Sequence, residues 1–206
     1  INWSFLIGEN MKLIFIRHGE AIDNVKMVLS DKEIYWSVLT ETGIKAIEKV
    51  AENLPKDLNK LYFSPLPRTT ETAHIIFEKF PNVEAKIDNR IREINYGKFS
   101  GKENNEELDK VRLAQAEGDY FIRFGEFGEN KFEIEMRLSL FFKDLLQNSS
   151  ENDTIAIVSH GSVISFMKRI LKVKTKHLEM GNMEIVESIS PELIDKHIEM
   201  LNDLKE

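Results

Sequence analysis

Two short apolar runs, each ending abruptly in a His-Gly pair, set the strongest limit on how this chain can fold. They occupy residues 12–16, in "LIFIRHGE", and residues 154–158, in "IAIVSHGS". Runs of this length that are rich in β-favouring residues predict buried strands. Weaker patterns of the same kind predict further strands over 61–63, 83–87 and 184–188.

Segments with a helical spacing of apolar residues separate these strands. Helices are predicted over 40–54, between Pro65 and Pro81, over 106–117, after "SHG", and from Ser190 into the tail. Residues 132–140 alternate as a strand would, but the apolar run continues to 146, and this length favours a helix. Strands that alternate with helices indicate an α/β fold with a largely parallel sheet.

Length and charge restrict the class of protein further. The chain has 206 residues, which suits one domain, and 97–128 is a more polar, cap-like insertion that we expect to lie over an opening. The net charge of −7 argues against a nucleic-acid partner, because phosphate backbones bind basic surfaces. No apolar run is long enough to span a bilayer, so no membrane association is expected.

Two features of the sequence concern the cellular location of the protein: the lack of cysteine and the composition of the first ten residues. Without cysteine there are no disulfides, thiolate nucleophiles or cysteine-based zinc sites, which fits a cytoplasmic protein. Residues 1–10 lack the basic start and apolar centre of a signal peptide. We expect Met11 to be the natural start, 1–10 to be an extension or cloning remnant, and 11–206 to form a single domain. Frequent Lys, Ile, Asn and Glu suggest a bacterial source.

Basic and imidazole side chains follow three of the predicted strands. Arg17 and His18 follow the first strand, Arg68 follows the strand that ends at 63, and His160 follows the strand that ends at 158. Because ligands of such sheets bind at the carboxyl ends of the strands, we expect these four residues to meet there. Two guanidinium groups and two imidazoles would form a pocket for a phosphoryl group. Gly19 and Gly161 would let the backbone approach that ligand closely.

The chemistry of such a pocket predicts a nucleophile and an acid. A histidine held among arginines should stay neutral near pH 7, and its lone pair can attack phosphorus. The leaving alkoxide then needs a proton, and the candidate donor is Glu93 in "IREINYGKFSGK". An ordinary surface ion pair with a neighbouring arginine is the alternative for Glu93. His74, His177 and His197 are interpreted as helix or surface residues.

Six blocks occur in order along the chain and together carry a resemblance. They are "FIRHGEAIDN", "LTETG", "YFSPLPRTTETA", "IREINYGKFSGK", "GEN" and "VSHGSVI". A single Arg-His-Gly arises by chance, but the full series resembles the histidine phosphatase superfamily, also called phosphoglycerate mutase-like proteins. The resemblance runs from Met11 to about Val186, and the compact fourth block looks closer to the phosphatase branch.

The resemblance implies a fold and a set of roles. The fold would be a three-layer sandwich, with helices on both faces of a mostly parallel central sheet. His18 would be the nucleophile that becomes a phosphohistidine, and Glu93 would donate a proton and later activate water. Arg17, Arg68 and His160 would bind and stabilise the transferred phosphoryl group. No metal and no organic cofactor is expected.

Two further residues of these blocks are candidates for substrate contact. Asn24 would help to bind phosphate, or would only cap a turn. Ser162 would offer its backbone N–H to the ligand beside Gly161, or would only cap the following helix. Ala21 and Asp23 depart from the pattern, in which Ser or Thr and an aromatic residue are common. The carboxylate of Asp23 would disfavour highly anionic substrates or simply face solvent.

Three functions therefore compete at the level of sequence. The first is a phosphomonoesterase that hydrolyses small phosphorylated metabolites through a phosphohistidine. The second is a phosphoglycerate mutase, and the third is a non-catalytic domain that binds a phosphorylated ligand. The sequence names neither the physiological substrate nor the oligomeric state.

Overall fold

A five-stranded mixed sheet forms the centre of the molecule. The computed structural model describes residues 11–32, 37–174, 176–187 and 189–205. The sheet has the order β3-β2-β4-β1-β5, in which β1 pairs antiparallel with β5 and every other neighbouring pair is parallel. The strands are β1 (Lys12–Arg17), β2 (Leu58–Phe63), β3 (Glu84–Ile87), β4 (Thr154–Ser159) and β5 (Met183–Glu187).

Seven helices occur in the described part of the chain. They are α1 (Ile22–Val25), α2 (Glu41–Asn53), α3 (Pro67–Lys79), α4 (Glu106–Ala116), α5 (Lys131–Gln147), α6 (Gly161–Ile170) and α7 (Pro191–Asp203). Helix α5 confirms that the alternating run at 132–140 is helical, as its length predicted. Within the described ranges, none of the helices combines the length and apolar character that crossing a membrane requires.

Helices cover both faces of the sheet, because successive side chains of a strand point to opposite faces. Leu13 and Phe15 of β1 lie in one apolar cluster with residues of α5, α6 and α7. Ile14 and Ile16 lie in a second cluster with residues of α2 and α3. Each fully buried side chain of this kind contributes about 1.5–3 kcal/mol to folding. The predicted three-layer α/β fold is confirmed.

The insertion at 97–128 packs against the rest of the fold. Leu108 and Val111 of α4 and Phe124 are buried in the same cluster as α5. Phe121 and Phe127 of the same insertion are exposed. The division into an extension and a single domain stays a prediction, and residues 1–10 lie outside the described residues.

Candidate active site

The carboxyl ends of β1, β2 and β4 lie side by side and present the predicted residues together. His18 N donates to the Ser159 carbonyl at 3.1 Å, and Ser64 N donates to the Val158 carbonyl at 3.1 Å, so the three strands end in register. The rings of His18 and His160 meet edge to face with centroids 5.2 Å apart. Segments far apart in sequence therefore meet at the edge where they were predicted.

Arg68 joins the two imidazoles. It lies in the first turn of α3, which begins at Pro67, and its side chain is buried. Its Nε donates to His18 Nε2 at 3.1 Å, and its Nη2 donates to His160 Nδ1 at 3.1 Å. One guanidinium group thus contacts both predicted histidines.

The hydrogen bonds of His18 fix its tautomer. Nδ1 lies 2.7 Å from the Gly19 carbonyl oxygen, which can only accept, so the ring proton is on Nδ1 and the lone pair on Nε2. Burial, followed by the charge of Arg68, lowers the pKa of His18 well below its ordinary value. The direction agrees with the sequence argument, but burial, not the arginines, is the larger cause. His18 is therefore neutral, with its lone pair inside the site.

His160 has the opposite tautomer. Its Nδ1 accepts from Arg68, so its Nε2 carries the proton and donates to Ser64 Oγ at 2.8 Å. The pKa of His160 is lowered well below its ordinary value, again mainly by burial. Ser64 is not among the residues that the sequence singled out, and no spacing along the chain indicates this contact.

Arg17 reaches the same site from the end of β1. Its Nη1 donates to the Leu178 carbonyl at 3.0 Å and contacts His177 Nε2 at 2.8 Å. Its Nε is buried and has no hydrogen-bond partner among the described residues, which leaves one donor for a ligand. His177 is exposed, as predicted, and it also lines the site and contacts Arg17, which the sequence did not indicate.

Glu93 lies beside the imidazoles, not on the outer surface. Its side chain is 13% exposed, and Oε2 lies 3.9 Å from His160 Nδ1. Burial raises the pKa of Glu93, and the charge of Arg68 opposes this only in part. Arg90, one candidate for a surface pair, is engaged instead with Asp88 and Asp144. A carboxyl group that holds its proton to a higher pH suits proton donation.

These side chains line a cavity of about 350 Å³, termed the site cavity. Asn24 lines it, and Asn24 Oδ1 also accepts from Ala21 N at 3.0 Å, so the turn-capping contact is present as well. Ser162 lines the cavity as the second residue of α6, while His160 holds the N-cap position. Ser162 Oγ lies 3.2 Å from Tyr96 Oη, and Tyr96 is a lining residue that sequence reasoning did not single out.

Asp23 is buried and does not face solvent. Its Oδ2 lies 3.4 Å from Arg68 Nη1, Ser37 Oγ donates to its Oδ1, and its backbone N donates to Ser37 Oγ at 3.0 Å. A buried carboxylate is tolerated because these partners satisfy it. Asp23 therefore offsets part of the positive charge of Arg68 and helps to fix its direction.

The two glycines of the site make room for protein atoms. A Cβ on Gly19 would lie 2.6 Å from the Gly43 carbonyl oxygen, so Gly19 allows the site loop to pack against the start of α2. A Cβ on Gly161 would lie 2.9 Å from Arg17 Cζ, so Gly161 gives space to the Arg17 guanidinium group. Gly161 also lines the cavity around His18, and the expectation that the two glycines admit the ligand stays a prediction.

We expect Gly161→Ala to weaken phosphoester turnover through Arg17. The new methyl group displaces the guanidinium, which is the movable partner, so the fold should persist while a charge-assisted contact is lost. Hydrogen bonds to charged groups contribute roughly 1.5–3 kcal/mol, so kcat/KM should fall at least about tenfold. In an Arg17→Ala background the same substitution should change nothing further, and an undiminished effect there would contradict this account.

Metal-binding potential is low at this edge of the sheet. Within the described ranges, no group of three or more His, Asp and Glu side chains is arranged to hold a metal ion. The guanidinium groups of Arg17 and Arg68 would also repel a dication. The expectation that the protein uses no metal stays a prediction.

Comparisons with known proteins agree with this geometry. Residues 13–197 match the family model described as the histidine phosphatase superfamily (branch 1). A 2,3-bisphosphoglycerate-dependent phosphoglycerate mutase of Thermoplasma acidophilum is 43% identical over 94 residues, which span 45% of this chain and 46% of the mutase. This match therefore spans less than half of either protein.

Other relatives are matched over more of their length. Phosphoserine phosphatase 1 of Hydrogenobacter thermophilus is 30% identical over 154 residues, which are 73% of this chain and 71% of that protein. Among solved structures, a mycobacterial glucosyl-3-phosphoglycerate phosphatase superposes with a TM-score of 0.71 at 21% identity, covering 86% of this chain and 94% of that one. At this identity the structural likeness concerns the fold.

Proposed function

The chain belongs to the histidine phosphatase superfamily, and on this premise we propose that it is a phosphomonoesterase that acts through a phosphohistidine at His18. The observation that carries the proposal is the arrangement around His18 Nε2. A neutral imidazole with its proton on Nδ1 lies beside Arg68, and the Glu93 carboxyl group, whose pKa is raised, lies 3.9 Å from His160 Nδ1. The phosphatases among the relatives support an enzyme of this class.

The proposed reaction has two steps. In the first, the Nε2 lone pair of His18 attacks phosphorus, the P–O bond to the leaving group breaks, and Glu93 gives that oxygen its proton. In the second, water attacks phosphorus, the P–N bond to His18 Nε2 breaks with its electron pair returning to the imidazole, and Glu93 takes a proton from the water. Inorganic phosphate leaves, and both His18 and Glu93 return to their starting states.

The cationic groups are proposed to stabilise the transferred phosphoryl group. Arg68 donates to the lone pair that must attack, so phosphate oxygens have to replace His18 Nε2 as its acceptor when substrate binds. Arg17 supplies the unused Nε donor. His160, held by Ser64 through Nε2, would contact the same group through Nδ1 once Nδ1 is protonated and released from Arg68. Asn24 and the N-terminus of α6 at Gly161 and Ser162 complete this environment.

Small metabolites are the proposed substrates. A site cavity of about 350 Å³ has the volume of a small-molecule site. The acidic net charge of −7 argues against nucleic acid as a partner. A cytoplasmic location and a bacterial source belong to the same proposal, and the lack of cysteine supports the location.

A phosphoglycerate mutase is the second candidate. The observation that favours it is the 43% identity to a mutase over 94 residues. In a mutase the phosphohistidine would return its phosphoryl group to the substrate and not to water. The two activities therefore share His18 and differ in the acceptor.

Phosphate release separates the candidate functions. We expect the protein to release inorganic phosphate from p-nitrophenyl phosphate and from members of a metabolite panel, and to do so in the presence of a strong chelator. Interconversion of 3- and 2-phosphoglycerate with little release would establish the mutase instead. Binding of phosphorylated ligands without turnover would establish a non-catalytic domain, and complete loss of activity under chelation would overturn the metal-free mechanism.

A further inference from the structure

A second cavity adjoins the site cavity, and we propose that it binds an anionic group carried by the leaving group of the substrate. The inference rests on the proposed function, because it concerns the part of a substrate that lies beyond the phosphoryl group. The second cavity is about 260 Å³ and is bounded by residues of α4, α5 and α6.

The two cavities are continuous. Tyr96, Arg112, Gly161, Ser162 and His177 line both of them. A ligand whose phosphoryl group lies at His18 can therefore extend past Tyr96 into the second cavity. Its volume leaves room for a leaving group of modest size.

The charged lining of the second cavity is entirely cationic. Arg112, Lys131 and Arg169 line it, and no Asp or Glu does so among the described residues. The chain as a whole has 35 acidic and 28 basic residues, so the positive lining is opposite in sign to the net charge of the protein. Like charges gathered in a concave site raise the local concentration of anions.

Lys131 is placed where folding alone would not favour a cation. It is 8% exposed, and it is the first residue of α5, where the helix dipole disfavours positive charge. Its Nζ donates to the Gln115 carbonyl at 3.2 Å and lies 4.0 Å from the centre of the Tyr120 ring, and neither group is an anion. Burial lowers the pKa of Lys131, and the charge of Arg169 adds to this while Glu135 opposes it.

Arg169 supplies the uncommitted donors. Its guanidinium stacks 4.2 Å from the centre of the Phe166 ring, and among the described residues it has neither a hydrogen bond nor an ion pair. Stacking leaves the N–H groups at the edge of the plane available to a carboxylate or phosphate. Arg112, in contrast, donates to Asp109 and Asn104, so it forms part of the wall.

The uncharged lining of the second cavity indicates what the rest of the ligand should be like. Ile94, Phe124 and Phe166 present apolar surface to the second cavity. An anion alone would leave that surface exposed to water, whereas an acid on a short apolar body would cover it. The substrate class that fits both cavities is a phosphomonoester of a small alcohol or phenol that also carries an acidic group.

Binding of two matched phosphonates tests this inference without requiring turnover. The probes are (4-carboxybenzyl)phosphonate and (4-carbamoylbenzyl)phosphonate, which have the same shape and differ in one charge. We expect the protein to bind the carboxylate at least about tenfold more tightly than the amide in calorimetric titrations. No preference for the carboxylate would overturn the inference.

Variants locate the preference in the second cavity. Arg169→Gln, at an exposed position, should reduce the carboxylate preference to within about threefold, and Lys131→Gln should do the same. Arg169→Lys should retain part of it, because the charge remains. Lys110→Gln is the matched control, since it removes one positive charge from an exposed position of α4 outside both cavities. A preference that survives Arg169→Gln and Lys131→Gln unchanged would overturn the assignment.

A parallel assay keeps this inference apart from the proposed function. Phosphate release from p-nitrophenyl phosphate reports turnover only, because that substrate carries no carboxylate. A carboxylate preference without any phosphate release would overturn the phosphatase and leave the second cavity as an anion site. Phosphate release without a carboxylate preference would support the phosphatase and overturn the anion site in the second cavity.

Discussion

His18→Ala is expected to reduce phosphate release by at least about 10⁴-fold, since removing a nucleophile abolishes the covalent route. The variant keeps Arg17, Arg68 and His160, so it should still bind a phosphorylated ligand. It has no imidazole nitrogen at the position from which phosphorus is attacked. Steady-state release of inorganic phosphate measures the loss, and mass spectrometry of acid-sparing digests should show phosphohistidine only in the wild-type protein.

The fold of the variant has to be measured beside its activity. Removing the buried ring leaves the Gly19 carbonyl and Arg68 Nε without their partner, at a cost of roughly 1–3 kcal/mol. His74→Ala is the matched control, because His74 is an exposed histidine on α3, away from the site. Near-normal rates in a folded His18→Ala protein would overturn the phosphohistidine mechanism.

The convergence of the site could be predicted because it follows from the direction of the strands. Each apolar run marked a strand, and parallel strands bring their carboxyl ends to one edge. The order β2-β4-β1 makes the three strands direct neighbours, which places His18, Arg68 and His160 in contact. The sequence therefore predicted which residues meet and at which edge of the sheet. The distances between their side chains depend on how the strands pair, which the sequence did not show.

Contacts made by return segments could not be predicted in this way. His177 lies between α6 and β5, and it reaches Arg17 because β5 runs antiparallel beside β1, where Gly181 N donates to the carbonyls of Arg17 and His18. Ser64 reaches His160 because β2 and β4 pair in register, with Phe63 opposite Val158. No spacing along the chain indicates either contact.

Asp23 shows a different limit of the sequence. An isolated aspartate in a short polar segment is expected at the surface more often than in the interior. It is buried here because Arg68 and Ser37 satisfy its oxygens. That outcome depends on where Arg68 points, and a pattern of residue types does not contain the direction of a side chain.

Glu93→Gln is expected to impair turnover according to the leaving group. An amide cannot supply the proton that an alkoxide needs, so kcat/KM for alkyl phosphates should fall by about 10²- to 10⁴-fold. p-Nitrophenolate leaves without a proton, so the loss for p-nitrophenyl phosphate should stay within about tenfold. Glu52→Gln, at an exposed position of α2, is the matched control for removing one carboxylate.

The pH dependence gives the same substitution a second readout. The raised pKa of Glu93 keeps the acid protonated to a higher pH, so wild-type kcat/KM for alkyl phosphates should decline as the pH rises through that pKa. At low pH, kcat/KM should decline when His18 becomes protonated. Because the pKa of His18 is lowered, this decline should lie below pH 6.5, the ordinary pKa of histidine. Glu93→Gln should remove the decline at higher pH and leave the one at lower pH. Equal losses for alkyl and aryl substrates, with the profile unchanged, would show that Glu93 is not the proton donor.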